Sequence, residues 1–443
     1  MTTIDLNAGA LAPVSSEVEY RSLRVSGTLP DDLDGMLVRN GPNPLTGRFE
    51  GEGVLSWWPE AAMLHGVSFE GGTATAYRNK WLRTQRWARV HEPQASLSHL
   101  DTNPNVNVLR HAGETLALAE GGLPLAISPM LETLGPPSRH PFAATGMTAH
   151  PKIDAGTGEL VMFHADWKPP FLRYGVADAE GETRVDFEIA LERPSMMHDI
   201  AITQTRSIVL DLNVGYDFSM LKRGHRMPLR WEDERGARLG VVPRHGGEVR
   251  WFGVSACFIQ HVVNAYDEAG TTVVLDAVRY PSFLRLMPSG DAFEDNPLGT
   301  LHRYRIDLAS GDVQEQAVDA LGIELPRINE LLTGRPYRYF YAVEQPSPVE
   351  MRGIVRYDWQ SGAYERYGLP PGDQNSEPIF VARRGAQAED DGWVLSCVYR
   401  QATATTDIVV LDARNIAAGP VATVHLPVRV PAGFHGQWLP SRD

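Results

Sequence analysis

Helical periodicity is almost absent from this chain, whereas short apolar or alternating runs recur along its whole length between turn residues. A side-chain repeat of two suits a strand with one buried face, and frequent turns fold such strands into antiparallel sheets. Glu159-Leu160-Val161-Met162-Phe163-His164 and Ser207-Ile208-Val209-Leu210-Asp211-Leu212 are two of these runs, and residues 271–278, 394–399 and 408–412 extend the series. Turn signals at Asp154-Ala155-Gly156, Asp267-Glu268-Ala269-Gly270 and Ala309-Ser310-Gly311 fall between them. The best helical candidate, residues 125–134, is short and holds Pro129, which removes a backbone donor. Many short strands with few helices point to an all-β fold: a sandwich, a barrel or a propeller. No repeat of the WD or kelch kind selects among them.

A length of 443 residues would by itself allow two or three domains. Proline and glycine are spread evenly and no linker-like or low-complexity block interrupts the pattern, so one all-β domain over residues 1–443 is expected. The net charge of −14 argues against a nucleic-acid partner, which would need a basic surface. The acidic runs Glu232-Asp233-Glu234 and Glu389-Asp390-Asp391 read as solvated turns. Cys257 and Cys397 lie in apolar, strand-like segments and are expected to be buried free thiols. Residues 1–10 lack the basic and apolar regions of a signal peptide, and no apolar run reaches transmembrane length, so a cytoplasmic protein is expected.

Fourteen histidines are enough to supply a metal-like cluster by chance. His91, His99, His225 and His245 stand in polar, turn-rich stretches and read as exposed, and His111, His140, His302 and His425 have no supporting context. His65 and His164 lie in strands and read as satisfied core or edge residues. His150, His198, His261 and His435 differ, because mostly apolar or small residues surround each of them. A buried imidazole needs a hydrogen bond or a metal for its polar nitrogens. These four are spread over much of the chain and match no short ligand motif such as HExxH, so spacing alone does not unite them.

At these residues the chain resembles the carotenoid cleavage oxygenases, a family of non-haem iron enzymes that includes carotenoid, apocarotenoid and stilbene cleavers. The likeness begins at Leu33-Asp34-Gly35-Met36-Leu37-Val38-Arg39-Asn40-Gly41-Pro42-Asn43-Pro44 and continues through Phe49-Glu50-Gly51-Glu52-Gly53-Val54 and Met63-Leu64-His65-Gly66-Val67. It resumes at Ala117-Leu118-Ala119-Glu120-Gly121-Gly122 and Ser376-Glu377-Pro378-Ile379-Phe380-Val381, and closes at Arg429-Val430-Pro431-Ala432-Gly433-Phe434-His435-Gly436. The resemblance implies a seven-bladed β-propeller with a helical or loop cap over the metal-bearing face. It implies iron(II), Fe(2+), held by His150, His198, His261 and His435, with Glu120, Glu324 and Glu377 orienting most of the ligand imidazoles. Imidazoles also suit zinc, copper and nickel, so iron comes from the resemblance and not from the residue types.

The implied reaction is oxidative cleavage of a C=C double bond by dioxygen, giving two carbonyl products from an apolar alkene. Stilbene-cleaving relatives carry a lysine immediately before the glutamate that matches Glu120, where this chain has Ala119. An apolar residue there favours a carotenoid or apocarotenoid, with stilbenoid or phenylpropenoid alkenes as the alternative. Family members often present an apolar patch to membranes, and Phe283-Leu284-Arg285-Leu286-Met287-Pro288 is the candidate for peripheral contact, although core packing explains it equally well. A propeller that binds an apolar ligand without turnover, or a zinc hydrolase on the same scaffold, are the competing classes; no Gly-x-Ser-x-Gly motif supports a hydrolase.

Overall fold

Alternating burial along the strands assembles them into antiparallel sheets, seven of which have four or more strands among the described residues. The computed structural model describes residues 4–94, 102–140, 145–285, 296–348 and 350–441. The sheets are the blades of a seven-bladed propeller, numbered here in chain order. Blade 1 holds Gly35–Pro42, Ala62–Glu70, Thr73–Trp81 and Glu19–Arg21, and receives Gly436–Pro440 as its inner strand. The inner strands of blades 2 to 6 are Asn107–His111, Lys152–Ile153, Ala201–Ile202, Phe258–Glu268 and Ile323–Arg327. Blade 7 begins with Gln374–Asn375 and Ile379–Ala382 and ends by pairing Pro420–His425 with Arg24–Gly27. Both ends of the chain therefore close the ring, Gly436–Pro440 on Gly35–Pro42 and Arg24–Gly27 on Pro420–His425.

The apolar cores lie between blades. Leu109 and Leu116 of blade 2 pack on Leu160 and Met162 of blade 3, and Val278 and Leu301 of blade 5 on Phe340 and Val355 of blade 6. Tyr341 and Ile354 of blade 6 meet Val394 and Leu411 of blade 7 in the same way. Each such aliphatic or aromatic side chain contributes about 1.5–3 kcal/mol by leaving water, so stability resides between the sheets. The axis is left free for polar groups. It holds a channel of about 750 Å³ lined by residues of the inner strands and the loops before them, Asn107, Lys152, Asp199, Asn264, Arg327 and Gln437 among them.

Three sequence expectations need correction. Residues 125–134 form two short strands, Leu125–Ile127 and Thr133–Gly135, instead of a helix. Ser128 Oγ accepts the N–H groups of Met130 and Glu132, each at 3.1 Å, and Leu131 takes φ +61°, so the segment turns before a helix can propagate. Within the suggested apolar patch, Phe283 is buried edge-on against Phe258 with ring centroids 4.9 Å apart, while Leu286, Met287 and Pro288 lie outside the described residues. The acidic run at 389–391 is a turn, as expected, but a half-buried one, since Glu389 accepts the N–H groups of Arg338 and Tyr339 at 2.8 and 2.7 Å and ties the segment to blade 6. Cys257 and Cys397 are buried and unpaired, as expected. No helix among the described residues is long and apolar enough to cross a membrane.

Candidate metal centre

Each blade brings its inner strand to the axis, so residues far apart in sequence meet where these strands begin. His150 lies in the loop that leads into the inner strand of blade 3, and His198 in the loop into that of blade 4. His261 lies within Phe258–Glu268, where the pairing slips between Ile259 and Val262 and again between Val262 and Asn264. Such bulges re-aim a side chain that regular pleating would send elsewhere. His435 directly precedes the closing strand Gly436–Pro440.

The placement of His435 explains part of the N-terminal motif. Asn40 N–H donates to the His435 carbonyl at 2.9 Å, Phe434 N–H to the Asn40 carbonyl at 3.0 Å, and His435 N–H to the Val106 carbonyl at 3.0 Å. This exchange brings two backbones into contact: a Cβ on Gly41 would stand 2.6 Å from Gly433 Cα, and one on Gly433 would stand 2.6 Å from the Asn40 oxygen. Only glycine fits either position.

The four imidazoles form one cluster, with their candidate ligand atoms within 4.8 Å of one another. The His150 ring centroid is 4.5 Å from that of His198, 5.1 Å from that of His261 and 4.5 Å from that of His435. The other three blades contribute Glu120, Glu324 and Glu377. Glu324 Oε2 accepts from His261 Nδ1 at 2.5 Å and from Leu325 N–H at 2.7 Å, while Oε1 accepts from the Tyr280 hydroxyl at 2.7 Å. Leu325 takes φ +53° beside it, an uncommon conformation for a residue with a branched side chain. Glu377 accepts from His435 Nδ1 at 2.9 Å and Gly436 N–H at 2.8 Å, with the Arg327 guanidinium 3.4 Å away. Glu120 is placed differently. It stands 3.4 Å from His198 Nδ1 without a well-aligned hydrogen bond, accepts from Ala149 N–H at 3.2 Å, and keeps 29% side-chain exposure. His150 is held through its backbone, its N–H donating to Thr148 Oγ1 at 3.0 Å, while Thr148 Oγ1 donates to the His198 carbonyl at 3.2 Å.

Charge at the cluster follows from this geometry. Burial first, and then mutual repulsion among the rings, holds His150 and His198 well below the ordinary histidine range. Burial also lowers His435 despite Glu377 beside it. Burial alone would lower His261 too, but the Glu324 carboxylate outweighs it and raises the group. Burial works against the charge of Glu377, yet Arg327 and His435 overcome it and keep the carboxyl below its usual range.

These residues fit a metal ion. Nε2 of His150 and Nε2 of His261 are buried without a hydrogen-bond partner. A polar atom left so costs about 1–3 kcal/mol, which a shared cation would offset. Neutral imidazoles with an outward N–H on a carboxylate present the inner lone pair that a ligand needs.

The other histidines lie elsewhere. His65 bonds the Tyr77 hydroxyl at 2.9 Å, His425 lies between Asp407 and Ser26, and His111 bonds the Gly158 carbonyl at 2.7 Å with its ring 5.0 Å from that of His140. His91 stacks on Trp87, and His99 lies outside the described residues. Sequence reasoning missed Thr148, Lys152, Asp199 and Tyr280. The one usable signal was Asp199, a charged residue inside the apolar run Met196-Met197-His198-Asp199-Ile200-Ala201.

The family described as retinal pigment epithelial membrane protein matches residues 11–440. A carotenoid cleavage oxygenase of Mycobacterium tuberculosis is 34% identical, over 98% of this chain and 97% of its own. The carotenoid 9,10(9',10')-cleavage dioxygenase 1 of Arabidopsis thaliana is 31% identical, over 98% of this chain and 89% of its own. Among solved structures, the cobalt-substituted apocarotenoid oxygenase of Synechocystis superposes with a TM-score of 0.87 at 28% identity, over 97% of this chain and 98% of that one.

Proposed function

The chain belongs to the family of retinal pigment epithelial membrane protein and the carotenoid cleavage oxygenases, and we propose that it is an iron(II) dioxygenase cleaving a C=C bond of a carotenoid or apocarotenoid into two carbonyl products. The observation that carries this reading is the cluster itself, where four imidazoles converge with buried nitrogens unpartnered and carboxylates behind two of them. In this reading His150, His198, His261 and His435 hold the metal, and Glu120, Glu324 and Glu377 orient the rings. Iron(II) bound by these four imidazoles would supply the chemistry of dioxygen. Glu324 and Glu377 keep the proton of His261 and His435 on Nδ1 and so direct Nε2 inward. The low proton affinity of His150, His198 and His435 leaves their lone pairs available at neutral pH.

Ala119, beside Glu120, offers no cation to a phenol, which supports a carotenoid substrate over a stilbenoid. An exposed apolar group supports peripheral membrane contact. Trp167 packs edge-on against Phe218 at 6.1 Å, and Leu221 is exposed beside Lys222 and Arg223. The loops bearing Trp167 and Phe218 leave blades 3 and 4 at the end that carries His150 and His198, as the pairing of Lys152 with Val161 and Ala201 with Ile208 requires.

The test is incubation of the iron-loaded protein in air with apocarotenals, β-carotene, resveratrol and isoeugenol, with aldehydes identified by mass spectrometry. Apocarotenoid fragments are the expected products, and their masses locate the cleaved bond. Aromatic aldehydes alone would move the protein to the stilbenoid and phenylpropenoid cleavers. No cleavage of any substrate by protein with bound iron would refute the dioxygenase reading.

A further inference from the structure

Beneath the imidazoles, side chains outside the proposed ligand set stitch three of the histidine-bearing segments together. Asp199, which follows His198, is 1% exposed. Its Oδ2 accepts the N–H of Val262, the residue after His261, at 2.8 Å. Its Oδ1 accepts the N–H of Ile200 at 2.7 Å and the Lys152 ammonium at 2.6 Å. Lys152 opens the inner strand of blade 3, two residues after His150. One carboxylate thereby joins blades 3, 4 and 5 at positions flanking His150, His198 and His261.

The two halves of this ion pair are not equivalent. The anion is enclosed and fixed by the N–H groups of Ile200 and Val262, whereas the Lys152 side chain keeps 22% exposure and its charge is screened by water. The carboxylate, and not the ammonium, therefore fixes the backbone beside His198 and His261.

We propose that Asp199 is a positioning residue for the metal centre. It sets the spacing of the His198 and His261 segments by holding the N–H groups of Ile200 and Val262 on one carboxylate. The inference rests on the metal-centre reading above, and its test separates the two.

Cobalt(II) is the probe, titrated into the metal-free full-length chain and followed by visible absorption, with thermal melting measured in parallel. Asp199→Asn is expected to bind cobalt roughly ten- to hundredfold more weakly than the parent chain. Lys152→Met, which removes the cation and leaves the anion, is expected to bind at least as tightly as the parent. Breaking a purely structural pair would weaken both variants, and that parallel loss, or unchanged affinity in Asp199→Asn, overturns the proposal. Should Asp199→Asn not fold, the double variant Asp199→Asn with Lys152→Met leaves no lone buried charge and is compared with Lys152→Met alone, with the same factor expected. A parent chain that binds no cobalt would sink the metal-centre reading itself. A parent chain that binds, with the wrong pattern in the variants, would sink only the role of Asp199.

Discussion

Glu324 allows metal binding and folding to be perturbed separately. Three donors converge on its carboxylate: His261 Nδ1 at 2.5 Å, Leu325 N–H at 2.7 Å and the Tyr280 hydroxyl at 2.7 Å. Glu324→Ala strands all three in a buried site, and at roughly 1–3 kcal/mol for each unmet group the fold should lose about 3–9 kcal/mol. Glu324→Gln keeps the shape. Its amide oxygen can accept from His261 and Leu325, and the Tyr280 hydroxyl can rotate to accept from the new NH2 group. The fold then loses at most about 1 kcal/mol. What the Gln variant lacks is the anion that makes the His261 imidazole a better donor, so metal affinity should fall roughly ten- to hundredfold. Chemical denaturation of the metal-free protein reads the first quantity and iron(II) or cobalt(II) titration the second. The Gln variant should unfold near the parent and bind metal weakly, and the Ala variant should fail on both counts. Parent-like metal affinity in Glu324→Gln would refute the orienting role of this carboxylate, and a parent-like denaturation midpoint in Glu324→Ala would refute the accounting of its three donors.

Other outcomes follow from single residues. His261→Ala should abolish metal binding and turnover while circular dichroism stays that of a folded β protein, because the cores lie between blades; full activity would sink the four-histidine centre. Ala119→Lys should raise the turnover of phenolic stilbenes, measured as aromatic aldehyde released, and no change would place the substrate determinant elsewhere. His65 is lowered from 6.5 to about 3, by burial first and then by Arg39, so the unfolded chain binds a proton there that the folded one refuses. Stability should therefore fall as the pH drops from 6.5 towards 3, by up to about 1.4 kcal/mol per pH unit for this group. A His65→Gln variant should show a shallower acid limb in denaturation midpoints, and an unchanged limb would count against that assignment.

Strand positions and the all-β class were legible in the sequence, because alternation records which face of a strand is buried. Leu160–Ala165, Arg206–Asp211, Thr272–Tyr280, Gly392–Arg400 and Thr405–Asp412 all fall on runs apparent in the sequence. The four histidines stood out through their apolar surroundings, and the family resemblance supplied what spacing could not. Residues 125–134 misled because apolar spacing is equivocal over a short run, and the Ser128 turn outweighs it.

Tertiary structure decided the rest. The chain alone could mark His150, His198, His261 and His435 as buried, but only convergence of the inner strands from four blades brings their nitrogens within 4.8 Å. It could mark three glutamates, but only packing shows that Glu324 and Glu377 hold their imidazoles closely while Glu120 stands off at 3.4 Å. Asp199 shows the difference most directly, since its partners Lys152 and Val262 are remote in sequence and adjacent only once blades 3, 4 and 5 share an axis. Local pattern is written by neighbours along the chain, whereas a centre on a propeller axis is made by the ring closing.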